Sequence, residues 1–307
     1  MITDAQVPRP REVFLDHVGW FVADMAVAAR TFERLGFVLT PYTEHRNTAA
    51  DGSSLPAGTA NQCAMPERGY LEIVTAVPGS ETALADQLRA GLARYAGVHV
   101  VTFSGYNADA ERARLAQARF NPQPVVHLRR PVALEDGGEG ITAFSVVRTP
   151  PEEMPEGRIQ FLTQETPDLV WRPALIARDN AVEALTGIQM VVADVDEAAA
   201  RFARFTGRNA TPIPGRSAVI PLDRGWIAIS GPTSARRHHF AASITPPFVA
   251  AVALRSLDLA STHAYLMRQG IRLLADTPDH LVVHPDDAAG TALVIHAEGA
   301  DDCLCVP

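Results

Sequence analysis

The chain has 307 residues, of which 47% are hydrophobic and 20% charged, and its mean hydropathy is +0.02. This composition is typical of a folded protein with two ordinary cores and excludes a disordered or fibrous chain. The net charge of −8 disfavours nucleic acid and anionic membranes as partners. No apolar run approaches the roughly 20 residues of a membrane span, and the N-terminus lacks a signal-peptide core. We therefore expect a soluble, cytoplasmic protein.

The first elements of the chain are predicted to be a strand, a helix and three further strands. Residues 15–22 form an apolar run, and Asp24 then stands where an N-cap accepts a hydrogen bond from the first helical turn. Gly36 marks the end of the helix. Its buried stripe follows helical spacing at Ala28, Thr31, Phe32 and Leu35. Short segments rich in β-formers predict the strands at 37–42, 58–65 and 70–74.

This pattern recurs along the chain. Three times an apolar run ends in an Ala-Asp pair and an Ala-rich helical segment follows. The three aspartates are Asp24, Asp109 and Asp194, each 85 residues from the next, and a shorter copy contains Asp258. Self-similarity at a fixed period indicates one supersecondary unit in each copy. Four βαβββ modules predict an α+β protein, in which the segment 167–182 links two pairs of modules.

Two polar residues lie within predicted strands of the first module. His17 is surrounded by Val18, Trp20 and Val22, and Glu72 stands in the middle of the strand 70–74. A carboxylate buried alone costs several kcal/mol, so Glu72 needs a cation, hydrogen-bond donors or solvent. A metal ion bound by both side chains meets that need, although a core histidine bonded to backbone is the plainer interpretation of His17.

These residues carry a resemblance to a known family. Leu15-Asp16-His17-Val18 leading to Asp24, Gly58-Thr59-Ala60-Asn61 and Gly69-Tyr70-Leu71-Glu72 together resemble glyoxalase-like members of the vicinal oxygen chelate superfamily. The resemblance implies that paired βαβββ modules curl into cup-shaped domains of the glyoxalase/bleomycin-resistance type. It also implies a divalent metal held by the first and last strands of both modules in a pair.

Laying the second module over the first extends the predicted site. Gly157-Arg158-Ile159-Gln160 matches the segment that ends at Glu72, and His99 lies near the position of His17. The predicted metal ligands are therefore His17, Glu72 and His99. Zn, Ni, Mn and Fe(II) all suit such nitrogen and oxygen donors. Gln160 replaces the carboxylate that glyoxalase-type sites commonly use as a base, so Glu72 is the predicted catalytic base and Gln160 a substrate contact.

Further substrate contacts are expected in the loop predicted for residues 43–61. His45, Thr59 and Asn61 resemble a His…Gly-Thr-x-Asn pattern of the glyoxalase-like group. A second loop, 135–140, is expected to cover the opposite side of the cup. Four arginines are possible partners for substrate carboxylates: Arg11, Arg46, Arg68 and Arg158.

Three functions remain open from the sequence. A divalent-metal-dependent lyase or isomerase acting on a small oxygenated substrate agrees with His17 and Glu72. A non-catalytic protein that binds a small ligand, as drug-resistance members of the superfamily do, agrees with the absence of a titratable group at Gln160 and Gln164. An extradiol-type dioxygenase with iron in the last module is disfavoured by the spacing of its candidate ligands, which are His280, His284, His296 and Glu298.

The predicted domains are residues 1–172, which contain the cup with the site, and residues 173–307, a degenerate pair of modules. Gly187 and Ala228 stand there in place of His17 and Glu72. We expect a small-molecule ligand as partner, no nucleic acid and no membrane, and the second pair could form a homodimer. Two remaining features are expected to have no special role, the Cys303-x-Cys305 tail and the basic cluster 236–239.

Overall fold

The computed structural model describes residues 6–48, 54–134, 137–214, 217–233 and 244–299. Cys303, Cys305 and the basic cluster 236–239 lie outside these ranges, as do residues 135–136 of the second predicted loop. The described chain forms two eight-stranded sheets with helices. The first contains β1 (Phe14–Phe21), β2 (Thr43–Thr48), β3 (Ser54–Ala64), β4 (Tyr70–Ala76), β5 (Gly97–Ser104), β6 (Val126–Ala133), β7 (Glu139–Arg148) and β8 (Arg158–Gln164). The second contains β9 (Val182–Val191), β10 (Thr211–Ile213), β11 (Ser217–Pro221), β12 (Trp226–Ser230), β13 (Phe248–Ser256), β14 (Leu273–Asp276), β15 (His280–Val283) and β16 (Ala292–His296).

The strand order brings the first and last strands of two modules together at the centre of each sheet. The first sheet has the order β2-β3-β4-β1-β5-β8-β7-β6, and the second repeats it as β10-β11-β12-β9-β13-β16-β15-β14. In the first sheet β1 pairs parallel with β4 and antiparallel with β5, and β5 pairs parallel with β8. The predicted α+β fold of four βαβββ modules in two domains is confirmed. The boundary at residues 172 and 173 stays a prediction.

The first sheet curls until its two edge strands approach each other. The guanidinium of Arg130 on β6 donates from Nη1 to the backbone carbonyl of Arg46 on β2, at 2.7 Å. This hydrogen bond joins strands that stand at opposite ends of the sheet order. The sheet is therefore a nearly closed cup.

Six α-helices lie entirely within the described residues, and three of them begin at an N-cap that the sequence predicts. The six are α1 (Met25–Arg34), α2 (Ala83–Arg94), α3 (Ala108–Gln117), the short α4 (Pro167–Val170), α5 (Val195–Thr206) and α6 (Leu259–Arg268). The side chains of Asp24, Asp194 and Asp258 cap α1, α5 and α6. Asp109 lies inside α3, because Asn107 is its N-cap and accepts from the amide of Ala110. The helix α2 between the first two modules was not predicted.

The second strand of the first module lies later in the chain than predicted. Residues 37–42 contribute only an isolated bridge from Leu39 to Ala64, and Pro41 interrupts the run. The strand β2 begins at Thr43, inside the segment that was predicted to be a loop, and pairs with β3. His45, Thr59 and Asn61 therefore lie on paired strands, which hold side chains more firmly than a loop.

The two domains share one hydrophobic core. Phe205 of α5, in the second domain, stacks on Phe161 of the first sheet with ring centroids 5.2 Å apart, and also contacts Phe103 and Phe120. The indole of Trp20 on β1 donates to the carbonyl of Ala288, at 3.1 Å. Among the described helices, none is long and apolar enough to cross a membrane.

Candidate functional site

A cavity of about 280 Å³ opens on the concave face of the first sheet. Its wall includes most of the residues predicted for the site: His17, His45, Thr59, Asn61, Glu72 and Gln160. His99 is not part of that wall. The structure thus brings together all of the predicted site residues except one.

His17 is fixed at the base of the cavity by its own neighbour in the chain. Its Nδ1–H donates to the carboxyl group of Asp16 at 2.7 Å, and its ring stacks on Tyr70 with centroids 4.3 Å apart. Residues next to each other on a strand normally face opposite sides, but the pairing of β1 with β5 skips Asp16. This bulge allows Asp16 to lie beside His17. The amide of Gln164 donates to Asp16 from the other side, at 3.0 Å.

Glu72 lies opposite Gly19 in the parallel pair of β4 and β1. Its Oε2 is 3.9 Å from Nε2 of His17, so the imidazole and the carboxylate converge in the cavity. A Cβ atom at position 19 would lie 3.3 Å from Oε2 of Glu72 and 2.9 Å from the Cβ of Val100. Gly19 therefore leaves the space that the carboxylate occupies.

The β2–β3 hairpin supplies the other neighbours of Glu72. Asn61 donates from Nδ2 to Oε1 of Glu72 at 2.7 Å, and Nε2 of His45 lies 3.9 Å from the same oxygen. The opposite ring nitrogen of His45 shares a hydrogen bond with the hydroxyl of Thr59, at 2.9 Å. Glu72 thus lies between two imidazoles, with one amide donor on it.

The neighbours of Glu72 keep it negatively charged. Burial alone would raise its pKa, but the nearby His17 and His45, the Asn61 hydrogen bond and the charge of Arg158 bring the pKa below its ordinary value. Burial lowers the pKa of His45, and repulsion from Arg130 and Arg158 lowers it further, against the opposing effect of Glu72. The surroundings therefore favour the ionised form of Glu72 and the neutral form of His45.

Strand register identifies which residues of the second module correspond to His17 and Glu72. Glu72 is opposite Gly19, and Gln160 is opposite Thr102. Counting two residues back along each first strand makes Val100 the counterpart of His17. The amide of Gln160 donates to the hydroxyl of Thr102 at 3.0 Å, and its oxygen accepts from Nε of Arg148 at 3.1 Å.

His99 is directed away from the cavity by a second bulge. The pairing of β1 with β5 passes from Val98 to Val100 and skips His99. The ring stacks between Tyr95 and Phe21, with centroids 4.0 and 4.9 Å away, and its Nε2–H donates to the Tyr95 carbonyl. Burial lowers the pKa of His99 to about 4. His99 therefore lies outside the cavity wall and is not the counterpart of His17, because the bulge adds a residue that the comparison of the two modules did not anticipate.

The sequence analysis missed several charged residues of the cavity. Arg130 and Arg148 line it, on β6 and β7, together with Arg158 and Arg172. The other predicted arginines, Arg11, Arg46 and Arg68, do not line it. Arg148 directly follows Val146 and Val147 at the end of β7, so the reasoning that selected Glu72 points to it as well. Arg130 lies between Arg129 and Pro131 in a polar strand and gives no such signal. No sequence pattern predicts that Asp16 lies beside His17, because this position depends on the bulge in β1.

The donor set fits a protein-bound divalent metal poorly. Of the four strand positions that the resemblance implies, Val100 offers no donor atom, and the oxygen of Gln160 accepts from Arg148. The guanidiniums around Glu72 add positive charge that opposes a cation. Among the described residues, no group of three or more His, Cys, Asp and Glu side chains has the geometry to hold a metal ion. The same finding applies to the described histidines of the last module, where His296 bonds Thr186.

Among the described residues, the second sheet has no histidine and carboxylate at the positions that correspond to His17 and Glu72. By register Gly187 and Ala228 correspond to His17 and Glu72, and the ring of Trp226 lies against Gly187, where a Cβ atom would be 2.5 Å away. Small apolar residues of β13, including Ala251 and Ala253, complete a buried cluster. Within the described residues, the candidate catalytic and ligand-binding side chains therefore lie in the cavity of the first sheet.

Comparison with known proteins identifies a protein family that matches this chain. The profile of a family described as a glyoxalase-like domain matches residues 15–206, more than half of the chain. The matched segment runs from β1 to the end of α5. No curated protein matches the chain.

Solved structures share the fold at low sequence identity. A hypothetical protein from Staphylococcus aureus has a TM-score of 0.64 and 8% identity, covering 93% of this chain and 99% of its own. A mutant of 4-hydroxymandelate synthase from Streptomyces coelicolor has a TM-score of 0.58 and 12% identity, covering 94% and 93%. A fusion of a xylose isomerase-like TIM barrel with 4-hydroxyphenylpyruvate dioxygenase has a TM-score of 0.57 and 14% identity, covering 96% of this chain but 50% of its own.

Proposed function

This chain belongs to the glyoxalase-like domain family, within the vicinal oxygen chelate superfamily, and we propose that it is a lyase- or isomerase-type enzyme that moves a proton on a small oxygenated substrate. The observation that carries the proposal is the position of Glu72, which lies in a cavity between His17 and His45. Its surroundings lower its pKa and so favour the ionised form. An ionised carboxylate within reach of a bound substrate is a general base. Gln160, at the matching position of the second module, cannot take this role.

The proposed step needs no oxidant or reductant. Glu72 removes a proton from a carbon next to a carbonyl group. The electron pair of that C–H bond forms a carbon–carbon double bond, and the carbonyl electron pair moves to its oxygen. The positive charges of the arginines that line the cavity stabilise the resulting enolate oxygen. In a 2-hydroxy ketone the hydroxyl group on that carbon then gives its proton to the former carbonyl oxygen and becomes the new carbonyl group. Glu72 returns its proton to the former carbonyl carbon, which completes an isomerisation.

Superfamily members commonly use divalent metals, and a metal at His17 and Glu72 stays a prediction for this chain. The proposed proton transfer relies on the arginines in its place, because the donor set is incomplete. Hydrogen exchange measured in EDTA separates the two schemes. Exchange that persists in EDTA supports the proposal. Exchange that is lost in EDTA and restored by a divalent metal contradicts it and favours metal dependence.

The test of the proposal is exchange of substrate hydrogens with D2O, followed by proton NMR over a panel of 2-oxo acids and 2-hydroxy ketones. We expect the protein to catalyse exchange of at least one compound. Glu72→Gln should slow this exchange by at least about 100-fold, the typical contribution of a general base. The matched control is Glu67→Gln, because Glu67 is half-exposed, pairs with Arg178 and does not line the cavity. Unchanged exchange in Glu72→Gln would exclude Glu72 as the base.

A second candidate function is binding without chemistry. The observation that favours it is Gln160, which replaces a titratable group and is engaged by Arg148 and Thr102. In this case the cavity sequesters a small ligand. The same experiment separates the two functions, because a protein that binds ligands in the cavity but exchanges no hydrogen of any compound in the panel fits the binder.

A further inference from the structure

Four arginines line the cavity with Glu72, and the charge of Glu72 acts on three of them. Arg130, Arg148 and Arg158 lie on β6, β7 and β8, and all three are partly buried. Burial lowers the pKa of each, that of Arg158 to about 10, and the charge of Arg148 lowers the pKa of both others. All three nevertheless remain charged at neutral pH. They form a cluster of mutually repelling cations, called here the arginine cluster.

Neutral acceptors hold the arginine cluster in place. Nε of Arg148 donates to the oxygen of Gln160 at 3.1 Å, and Nε of Arg158 donates to the oxygen of Gln87 at 3.2 Å. Arg130 donates to a backbone carbonyl of β2. These bonds fix the position of each guanidinium without neutralising it.

A paired arginine in the same chain shows the contrast. Arg201 donates to the carboxylates of Glu156 and Glu197 at 2.7 and 2.8 Å, and these partners raise its pKa despite its burial. None of the arginine cluster makes such an ion pair with a described residue. Glu72 is the carboxylate whose charge acts on all three. Three positive charges against one negative charge give the arginine cluster and Glu72 together a net charge of +2, to which Arg172 adds a further positive charge at the cavity wall.

This excess charge favours an anion. Removing guanidiniums from water without a partner is costly, and a ligand carboxylate repays that cost through charge-assisted hydrogen bonds. Arginine is also the side chain best suited to bidentate recognition of a carboxylate. The cavity is therefore preorganised for a negatively charged group.

An apolar surface adjoins the arginine cluster. Val146 on β7 is paired with Val126 on β6 and with Leu162 on β8, and Leu128 is paired with Phe144. All five side chains line the cavity. Along the β6–β7 hairpin, the Val126–Val146 and Leu128–Phe144 pairs lie between Arg148 at one end and Arg130 at the other. A ligand whose charge meets the arginines therefore places the rest of its body against aliphatic and aromatic side chains.

We propose that the cavity binds an organic anion with one carboxylate and an apolar body, its carboxylate on Arg148 and Arg158 and its body against the β6–β7 hairpin. The inference rests on the proposed function, because it names the substrate class of the same cavity. It also links binding to chemistry. A bound carboxylate offsets the positive charge that weakens Glu72 as a base, so binding strengthens that base.

Calorimetric titration with simple probes tests the inference. The probes are octanoate, octanol, which lacks the charge, and acetate, which lacks the apolar body. We expect octanoate to bind at least about tenfold more tightly than either of the others. Octanoate that binds no more tightly than octanol would overturn the carboxylate requirement. Equal affinities for acetate and octanoate would overturn the proposed contact between an apolar ligand body and the β6–β7 hairpin.

Variants locate the binding site. Arg148→Gln and Arg158→Gln should each weaken octanoate binding at least about tenfold, because each removes a charged hydrogen-bond donor. The matched control is Arg89→Gln on α2, where the arginine is half-exposed and paired with Asp86. Circular dichroism confirms that each variant is folded. Octanoate affinity that is unchanged in both cavity variants would place the ligand elsewhere and reject the inference.

Glu72→Gln separates this inference from the proposed function. Loss of its negative charge should leave octanoate binding intact or several-fold tighter, whereas hydrogen exchange requires Glu72 itself. If octanoate binds as expected but no compound is exchanged, the proposed function fails and the ligand class stands. If hydrogen exchange depends on Glu72 but the affinity for octanoate is the same in Arg148→Gln and Arg158→Gln as in the unchanged protein, only the proposed ligand class fails.

Discussion

At the scale of single residues, the chemistry of the cavity depends on how Glu72 keeps its charge. Asn61 donates to one oxygen, His17 and His45 flank the carboxylate, and Arg158 contributes positive charge. These contributions outweigh the burial that would otherwise protonate the side chain. Glu72 is therefore ready to accept a proton at neutral pH, and a bound anion offsets part of the field that holds its pKa down.

The residues that sequence reasoning located are those that follow strand alternation. His17 and Glu72 occupy regular positions in β1 and β4, so the pattern of their neighbours was sufficient to place them on one face. Asp16 and His99 are the extra residues of two bulges, so alternation along one strand does not predict where their side chains lie. A bulge depends on pairing between distant strands, which one strand does not encode.

At the scale of elements, the β2–β3 hairpin positions His45, Thr59 and Asn61. Pro41 and the polar composition of residues 43–48 concealed β2, because a polar edge strand lacks the hydrophobic alternation that predicts strands. The helix caps were easier to predict, since an N-cap depends on a local hydrogen bond. Asp24, Asp194 and Asp258 confirm this.

Gly58 lies in β3 and packs against Ser80 and Thr82, which precede α2, and this contact provides a prediction. Its φ is +81°, and a Cβ atom there would lie 2.2 Å from the hydroxyl oxygens of Ser80 and Thr82. Gly58→Ala combines backbone strain with this clash and should lower the free energy of unfolding by roughly 2–4 kcal/mol. Thermal and urea unfolding measure the loss.

The matched control for Gly58 is Gly79. Its φ is +73°, but a Cβ atom there would have nothing within 4 Å. Gly79→Ala should therefore show only the backbone cost of about 1 kcal/mol. Equal losses in the two variants would show that packing at Gly58 does not matter for the hairpin.

At the scale of the whole molecule, the second pair of modules supports the first. The helices α1 and α3 of the first domain contact α6 and α5 of the second, through Gly36 against Tyr265 and through Arg114, which donates to the carbonyl of Phe205. The second cup is filled with apolar side chains. These contacts favour a scaffold role for the C-terminal pair. A homodimer and a cytoplasmic location stay predictions from the sequence.

The shared core predicts that both domains unfold together. Phe205 is fully buried among aromatic rings of the first domain. Phe205→Ala should lower the free energy of unfolding by about 3–5 kcal/mol, and tryptophan fluorescence in urea should still show one transition. Val27→Ala is the control, because Val27 is 52% exposed and its loss should change stability little. Two separate transitions, or an unchanged midpoint in Phe205→Ala, would contradict the shared core.

The most direct test of the central claim is the titration of the Glu72 carboxyl group itself. Carbon-13 NMR of labelled glutamate, assigned by comparison with Glu72→Gln, gives this pKa without a substrate. We predict a value below the ordinary 4.5, and a rise in Arg158→Gln, because that arginine favours the charged form. A Glu72 pKa above 4.5, or one that Arg158→Gln does not change, would contradict the claim that neighbouring positive charges stabilise the ionised form of Glu72.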